Sequence, residues 1–210
     1  GAHAGTGHGC ATGVVWPVPP PGRAANACEA QYAGGMELHG SGVLLRPFRW
    51  EDAPDLFPLC QDEELTRFLA WWPHQRLEDT YRMLEGYVGQ EHQWAVEVEG
   101  RAAGWIALLV DWQNQIAEVA TWLGRPYWGK GVNREAKRLV LDYGFGTLNL
   151  QRIESITHVE NVKAQKGLEK LGFVREGVLR RYRWVKGWHW DMLMYSLMPE
   201  EWWQRRGGEG

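Results

Sequence analysis

Cysteine is scarce in this chain: Cys10, Cys28 and Cys60 are the only three in 210 residues. An odd, widely spaced set without a CxxC pair supplies neither a disulfide framework nor a zinc module, and a reducing cytoplasm is the expected setting. Long apolar runs are also missing. No stretch approaches the ~18–20 residues of a membrane helix, so a soluble protein with no membrane partner is expected. Neither sign of charge dominates: 26 Asp+Glu against 23 Lys+Arg give a formal net charge of −3. With no Lys/Arg block, nucleic acid is not an expected partner. The first 35 residues carry only Arg23 and Glu29 as charged groups, and no basic segment leads into an apolar one, so no secretory signal is read there.

What is present is a 44% hydrophobic composition, enough for a sizeable core in one domain. Tryptophan is enriched, with 14 residues; each combines large apolar area with one donor, so a bulky core and a lined groove both fit. Gly, Ala and Pro fill 20 of the first 35 positions, and Pro17 to Pro21 can continue neither a helix nor a central strand. Residues 1–35 are therefore read as a peripheral tail, 36–203 as a single domain beginning at Met36, and 204–210 as a C-terminal tail. His3, His8 and Cys10 have no positioned partners, and no metal is expected.

From Val43 onward the pattern alternates between strand and helix. Val43 to Arg46 reads as a short strand ended by Pro47. Trp50 to Gln61 starts with acidic residues and Pro54, a helix opening. Leu77, Tyr81, Leu84 and Val88 share one helical face. Gln93 to Val98 and Ala102 to Val110 form a hairpin around Glu99-Gly100, followed by a strand from Gln115 to Leu123. Val132 to Tyr143 is helical, Arg152 to His158 a strand, and Val162 to Leu171 a helix closed by Gly172 and Phe173. Val174 to Arg180 and Met192 to Met198 are the last strands, joined by an aromatic loop holding Tyr182, Trp184, Trp188 and Trp190.

The strand-turn-helix at Glu118–Ala136 carries the most chemistry. Gly129 and Gly131 form a tight turn just ahead of an amphipathic helix, so main-chain N–H groups and the helix dipole converge on one small volume that suits a pyrophosphate. It is neither GxxxxGK[ST] nor GxGxxG. Taken with Asn161-x-x-Ala164 and with Glu169-Lys170-Leu171-Gly172-Phe173-x-x-Glu176-Gly177, the segment Trp128-Gly129-Lys130-Gly131 resembles the GNAT superfamily of acetyl-CoA-dependent N-acetyltransferases. The closer likeness is to the RimJ/RimL-like branch that acetylates ribosomal-protein alanines. Leu44-Leu45-Arg46-Pro47 and Pro199-Glu200-Glu201-Trp202 fit that branch as well, and the likeness covers Met36 to Trp203.

The resemblance implies an α/β (α+β) fold: a mixed, mostly antiparallel sheet of about seven strands, splayed in the middle and flanked by about four helices. It implies acetyl-CoA as co-substrate, with the pantetheine against the backbone of Thr121, Trp122 and Leu123. The pyrophosphate would then sit on the amides of Gly129, Lys130, Gly131, Val132, Asn133 and Arg134, with Asn161 and Lys163 alongside. Lys130, Arg134, Lys163 and Lys166 either neutralise the adenosine phosphate or are solvated surface charges. Where the family carries Gln or Arg, this chain has Pro126, with Arg125 one place earlier.

Acetyl transfer needs a base, because an amine is mostly protonated at neutral pH. Glu118 is the candidate: it alternates with Ile116, Ala120 and Trp122, and apolar neighbours raise a carboxyl pKa. The other reading is a solvent-facing glutamate on a half-exposed strand. Glu176 and Asp111 are weaker candidates. For the acid, relatives place Ser where Ala164 stands or Tyr where Leu168 stands, and neither residue here donates a proton, which leaves Tyr127, Tyr182, a water or none. Phe68, Trp71, Trp72, Trp184, Trp188 and Trp190 suggest an aromatic acceptor groove, with Trp71, Trp72 and Trp184 as substrate contacts; packing or a homodimer contact is the alternative. The expected activity is direct transfer to a primary amine, of a protein N-terminus or a small molecule, through a ternary complex. A CoA-binding module of weak or no activity is the rival.

Overall fold

In a computed structural model that describes residues 36–208, eight strands form one sheet. They are β1 (Leu38–His39), β2 (Leu44–Arg46), β3 (Gln93–Val98), β4 (Arg101–Asp111), β5 (Ile116–Leu123), β6 (Arg152–His158), β7 (Val174–Val185) and β8 (Trp188–Leu197). Their order is β1-β2-β3-β4-β5-β6-β8-β7. Only β5 and β6 pair in parallel; all other neighbours are antiparallel. The helices are α1 (Ala53–Cys60), α2 (Glu63–Thr66), α3 (Leu77–Glu85), α4 (Val132–Gly146), α5 (Val162–Leu171) and α6 (Pro199–Gly207). The tail reading of residues 1–35, with His3, His8 and Cys10, lies outside the described residues.

Strand alternation sorts the apolar side chains onto two faces. Ile106 and Leu108 of β4 and Ala117, Val119 and Leu123 of β5 meet Val132, Ala136, Leu139 and Val140 of α4 and Leu168 and Leu171 of α5. Trp105 and Ala107 of β4 and Trp122 of β5 meet Leu56 and Cys60 of α1 and Leu84 of α3 on the other face. Arg46, at the end of β2, donates to both carboxylate oxygens of Asp52 at 2.7 and 2.9 Å and also bonds Glu97. Asp52 in turn accepts the Arg49 N–H at 2.9 Å. This buried group fixes the entry to α1, which explains the Leu-Leu-Arg-Pro opening in packing terms.

The expected mixed, mostly antiparallel sheet, splayed in the middle, is what the chain forms; its element counts and three boundaries differ in detail. The sheet has eight strands and six helices flank it among the described residues; β1 and α2 span only 2 and 4 residues, too few for a readable period. The second long helix ends at Glu85, with Gly86 as its C-cap. The aromatic loop is a hairpin: Arg183 pairs Trp190, Trp184 pairs His189, and Val185 pairs Trp188, around Lys186 and Gly187 at φ 53° and 85°. That pair of positive φ values closes a two-residue turn whose twist matches the strands. The boundary at 203 falls inside α6, which runs to Gly207 and buries Trp202 against Asp142, to which its indole N–H donates at 2.9 Å.

Candidate active site

β5 and β6 share three rungs, Ile116 with Arg152, Ala117 with Ile153 and Glu118 with Glu154, and then part. Beyond Glu118, β5 stays on β4 as far as Leu123 and β6 stays on β8 as far as His158, so two strand edges face a widening gap. Ser155 spans its first open rung, its hydroxyl donating to the Val119 carbonyl at 3.2 Å. After β5 comes one 3-10 turn, Arg125–Tyr127, and then Gly129 and Gly131 at φ 73° and 80°. Such left-handed values cost an L-residue ~1–2 kcal/mol, so glycine is what lets the backbone fold directly into α4. Gly131 is the α4 N-cap and supplies no side-chain cap. The first amides of the helix, with their partial positive charge, therefore form an anion-binding end. A depression of about 300 Å³ beside it is lined by Gly131, Arg134, Arg138, Lys170, Arg205 and Arg206, among others.

Glu118 stands on the α1/α3 side of the sheet and is only 6% exposed. Arg183 of β7 reaches it, its Nη2 donating to Oε1 at 3.3 Å. Burial pushes the Glu118 carboxyl above its ordinary range, Arg183 pulls it partly back, and Glu154 pushes it up again. Glu154 is itself held by Arg152 at 2.9 Å. Above Glu118 lies an aromatic wall. Phe68 stacks on His158 at 5.1 Å, His158 meets Trp190 edge-on at 4.8 Å, and Trp71 meets Trp122 edge-on at 5.8 Å. Burial holds His158 below its ordinary pKa. The hairpin tip is tied across this mouth: Lys186 donates to the Thr66 carbonyl at 2.7 Å and lies over Trp72 at 4.9 Å.

Several sequence-derived candidates take other jobs. Tyr127 packs with the α4 cluster, across the sheet from Glu118, so the two are not brought together. The register turns Trp184 to the face of the hairpin opposite Arg183, where it meets His189 at 4.8 Å; it does not share the face of Arg183 and Glu118. Thr121 donates its hydroxyl to the Trp105 carbonyl at 2.9 Å. The Trp122 indole is core and donates to Tyr87 at 3.2 Å. The Leu123 carbonyl accepts the Trp128 indole N–H at 2.6 Å. Asn161 caps α5, accepting the Ala164 N–H at 3.2 Å, and Lys163 lies 3.8 Å from the Trp128 ring centre. Asn133 accepts from Lys137 at 3.1 Å, and Arg125 pairs with Asp62 at 2.6 Å. Of the weaker bases, Arg152 and Ser196 pull Glu176 down to about 2, and Asp111 bonds Asn114 at the far end of β4. Arg183 and His158 carried no signal in the sequence beyond their residue types.

Among the described residues no helix is long and apolar enough to cross a membrane, and no group of three or more His, Cys, Asp or Glu could hold a metal ion. The chain is 33% identical over 172 residues to the uncharacterised N-acetyltransferase p20 of Bacillus licheniformis, covering 78% of this chain and 97% of that one. It is 27% identical to the spermidine N(1)-acetyltransferase of Escherichia coli, covering 76% and 87% respectively. The crystal structure of a GCN5-related N-acetyltransferase from Brucella melitensis superposes with a TM-score of 0.74 at 25% identity, covering 80% of both chains. The GNAT acetyltransferase domain family matches residues 43–174, and with the splayed sheet and the glycine turn in hand, the chain belongs to that family of N-acetyltransferases.

Proposed function

We propose that the protein transfers the acetyl group of acetyl-CoA directly to a primary amine, of a protein N-terminus or a small molecule, in a ternary complex in the cytoplasm. The observation that carries this reading is the gap that opens at Glu118 and runs to the glycine turn. Five residue rises along β5 lead from Glu118 to Leu123, a span of ~17 Å, close to the length of an extended pantetheine arm. The fit is good at the turn: Gly131 brings no side-chain cap to the helix end, and a Cβ at Gly129 or Gly131 would meet nothing within 4 Å. The amides of Gly129, Lys130, Gly131, Val132, Asn133 and Arg134 would hold the pyrophosphate, and the main chain of Thr121 and Trp122 the pantetheine. Acetyl-CoA, when bound, supplies the acetyl group as a thioester.

In this reading Glu118 takes a proton from the acceptor ammonium. The neutral nitrogen attacks the thioester carbonyl; the C–N bond forms as the C–S bond breaks, the nitrogen loses its second proton to solvent, and the departing thiolate takes one from solvent. Ala164 and Leu168 have no proton to give, and Leu168 is buried in the core. The test is free-thiol release from acetyl-CoA over a panel of amines, with Glu118→Gln beside the parent. Loss of a general base predicts a ~10²–10⁴-fold lower kcat, and the limb of rate that rises with pH through the raised Glu118 pKa disappears, while CoA affinity is kept. An unchanged pH profile removes Glu118 from the mechanism. CoA binding with no turnover of any amine favours the inactive module.

A further inference from the structure

Against Glu118 stands a second charge that acetyl transfer does not require. Arg183 is paired with Glu118, its side chain 33% exposed against 6% for the glutamate. It stands opposite Trp190 in the hairpin, on the same face of the sheet as His158 and Phe68. Glu154 is committed to Arg152, while Arg67 lies over the Phe68 ring at 5.1 Å and Glu160, Arg67 and Asp191 surround His158. Between the two groups in direct contact the charge is balanced, one carboxylate against one guanidinium.

That balance discriminates among amines. An acceptor with an ammonium alone would compete with Arg183 for Glu118, and once Glu118 had taken its proton the guanidinium would be left without its carboxylate. Because Arg183 is a third exposed, solvent reduces that cost without removing it. A polyamine would add further cations. An acceptor carrying an ammonium and an anionic group keeps every charge partnered: ammonium on Glu118 and anion on Arg183, through proton transfer as well. An arginine fork suits a carboxylate, which it can bind through two parallel bonds. We propose that Arg183 is the specificity-determining residue of the acceptor site, and that the acceptor is a small zwitterionic amine, an amino acid with an aromatic or apolar side chain. This rests on the acetyl-transfer reading above.

The test uses the full chain and matched pairs: phenylalanine against phenylethylamine and phenylalaninamide, tryptophan against tryptamine, and spermidine as polycation. The amino acids are expected to exceed their decarboxylated partners in kcat/KM by about tenfold or more, the scale of a charge pair at a recognition site. Arg183→Gln should erase that margin by raising KM for the amino acids more than for the simple amines, and Arg183→Lys should keep part of it. Decarboxylated amines or spermidine equalling the amino acids in the parent protein overturns the proposal, and thiol release with those amines would leave acetyl transfer standing. If no acceptor turns over, tryptophan fluorescence titration of the CoA complex with the same pairs decides: tighter binding of the zwitterion supports the assignment, and equal or absent binding ends it.

Discussion

Lys137 and Glu118 are both buried ionisable groups, and what faces each one decides its role. Lys137, on α4, is 7% exposed; its ammonium donates to the Asn133 side chain, and burial pushes its pKa down to about 8 from 10.5. Below pH 8 both folded and unfolded chains carry the proton, and the cost of burying the charge is borne in full. Between about 8 and 10.5 the unfolded chain binds more protons, so this residue makes stability rise with pH there. Lys137→Met should therefore stabilise the fold at pH 7 by about 1–3 kcal/mol and remove that rise; urea unfolding at pH 7 and pH 10 checks both. Glu118 differs in having a guanidinium against it and the parting edges of β5 and β6 beside it. Its position was legible, because alternation along one strand sets its face. Arg183 was not: it lies 65 residues away in an arginine-rich strand, and only the hairpin register shows which arginine turns inward.

At the scale of elements, legibility followed the strength of local signals. α5 could be read to the residue because Asn161 caps it and Gly172, at φ 97°, ends it. Only the outer part of the β7–β8 hairpin, between Arg180 and Met192, was read as a loop, because tryptophans and charges occupy both of its faces, which hides the period of two. The turn into α4 was legible as geometry but not as an affinity. Gly131 shows why. A Cβ there meets no neighbour within 4 Å, so Gly131→Ala introduces no clash and only the cost of a left-handed alanine, ~1 kcal/mol. Relief of that strain would rotate the first amides of α4 away from a common centre. The variant should unfold within a few degrees of the parent yet bind CoA at least tenfold more weakly by calorimetry. Unaltered affinity would mean that the helix end does not hold the pyrophosphate.

Across the whole molecule, the gap between β5 and β6 divides the sheet into two halves. β1 to β5 form one and β6, β8 and β7 the other, joined by three parallel rungs, the Ser155 hydroxyl and the helices that pack beneath them. A ligand filling the gap would replace the missing ladder with its own amide groups and tie the halves together. Binding to the native state alone stabilises it by about 2.7 kcal/mol at a hundred times Kd, or roughly 5–10 °C in a domain of this size. The protection should also be local. Amide exchange is expected to slow at 119–123 and at 129–134, while the edge strand β7, which faces solvent along most of its length, should exchange as before. A uniform slowing would point to general stabilisation without a defined site. Protection confined to 129–134 would mean that the pyrophosphate end is held while the gap stays empty, and acetyl transfer beside Glu118 would then lose its physical basis.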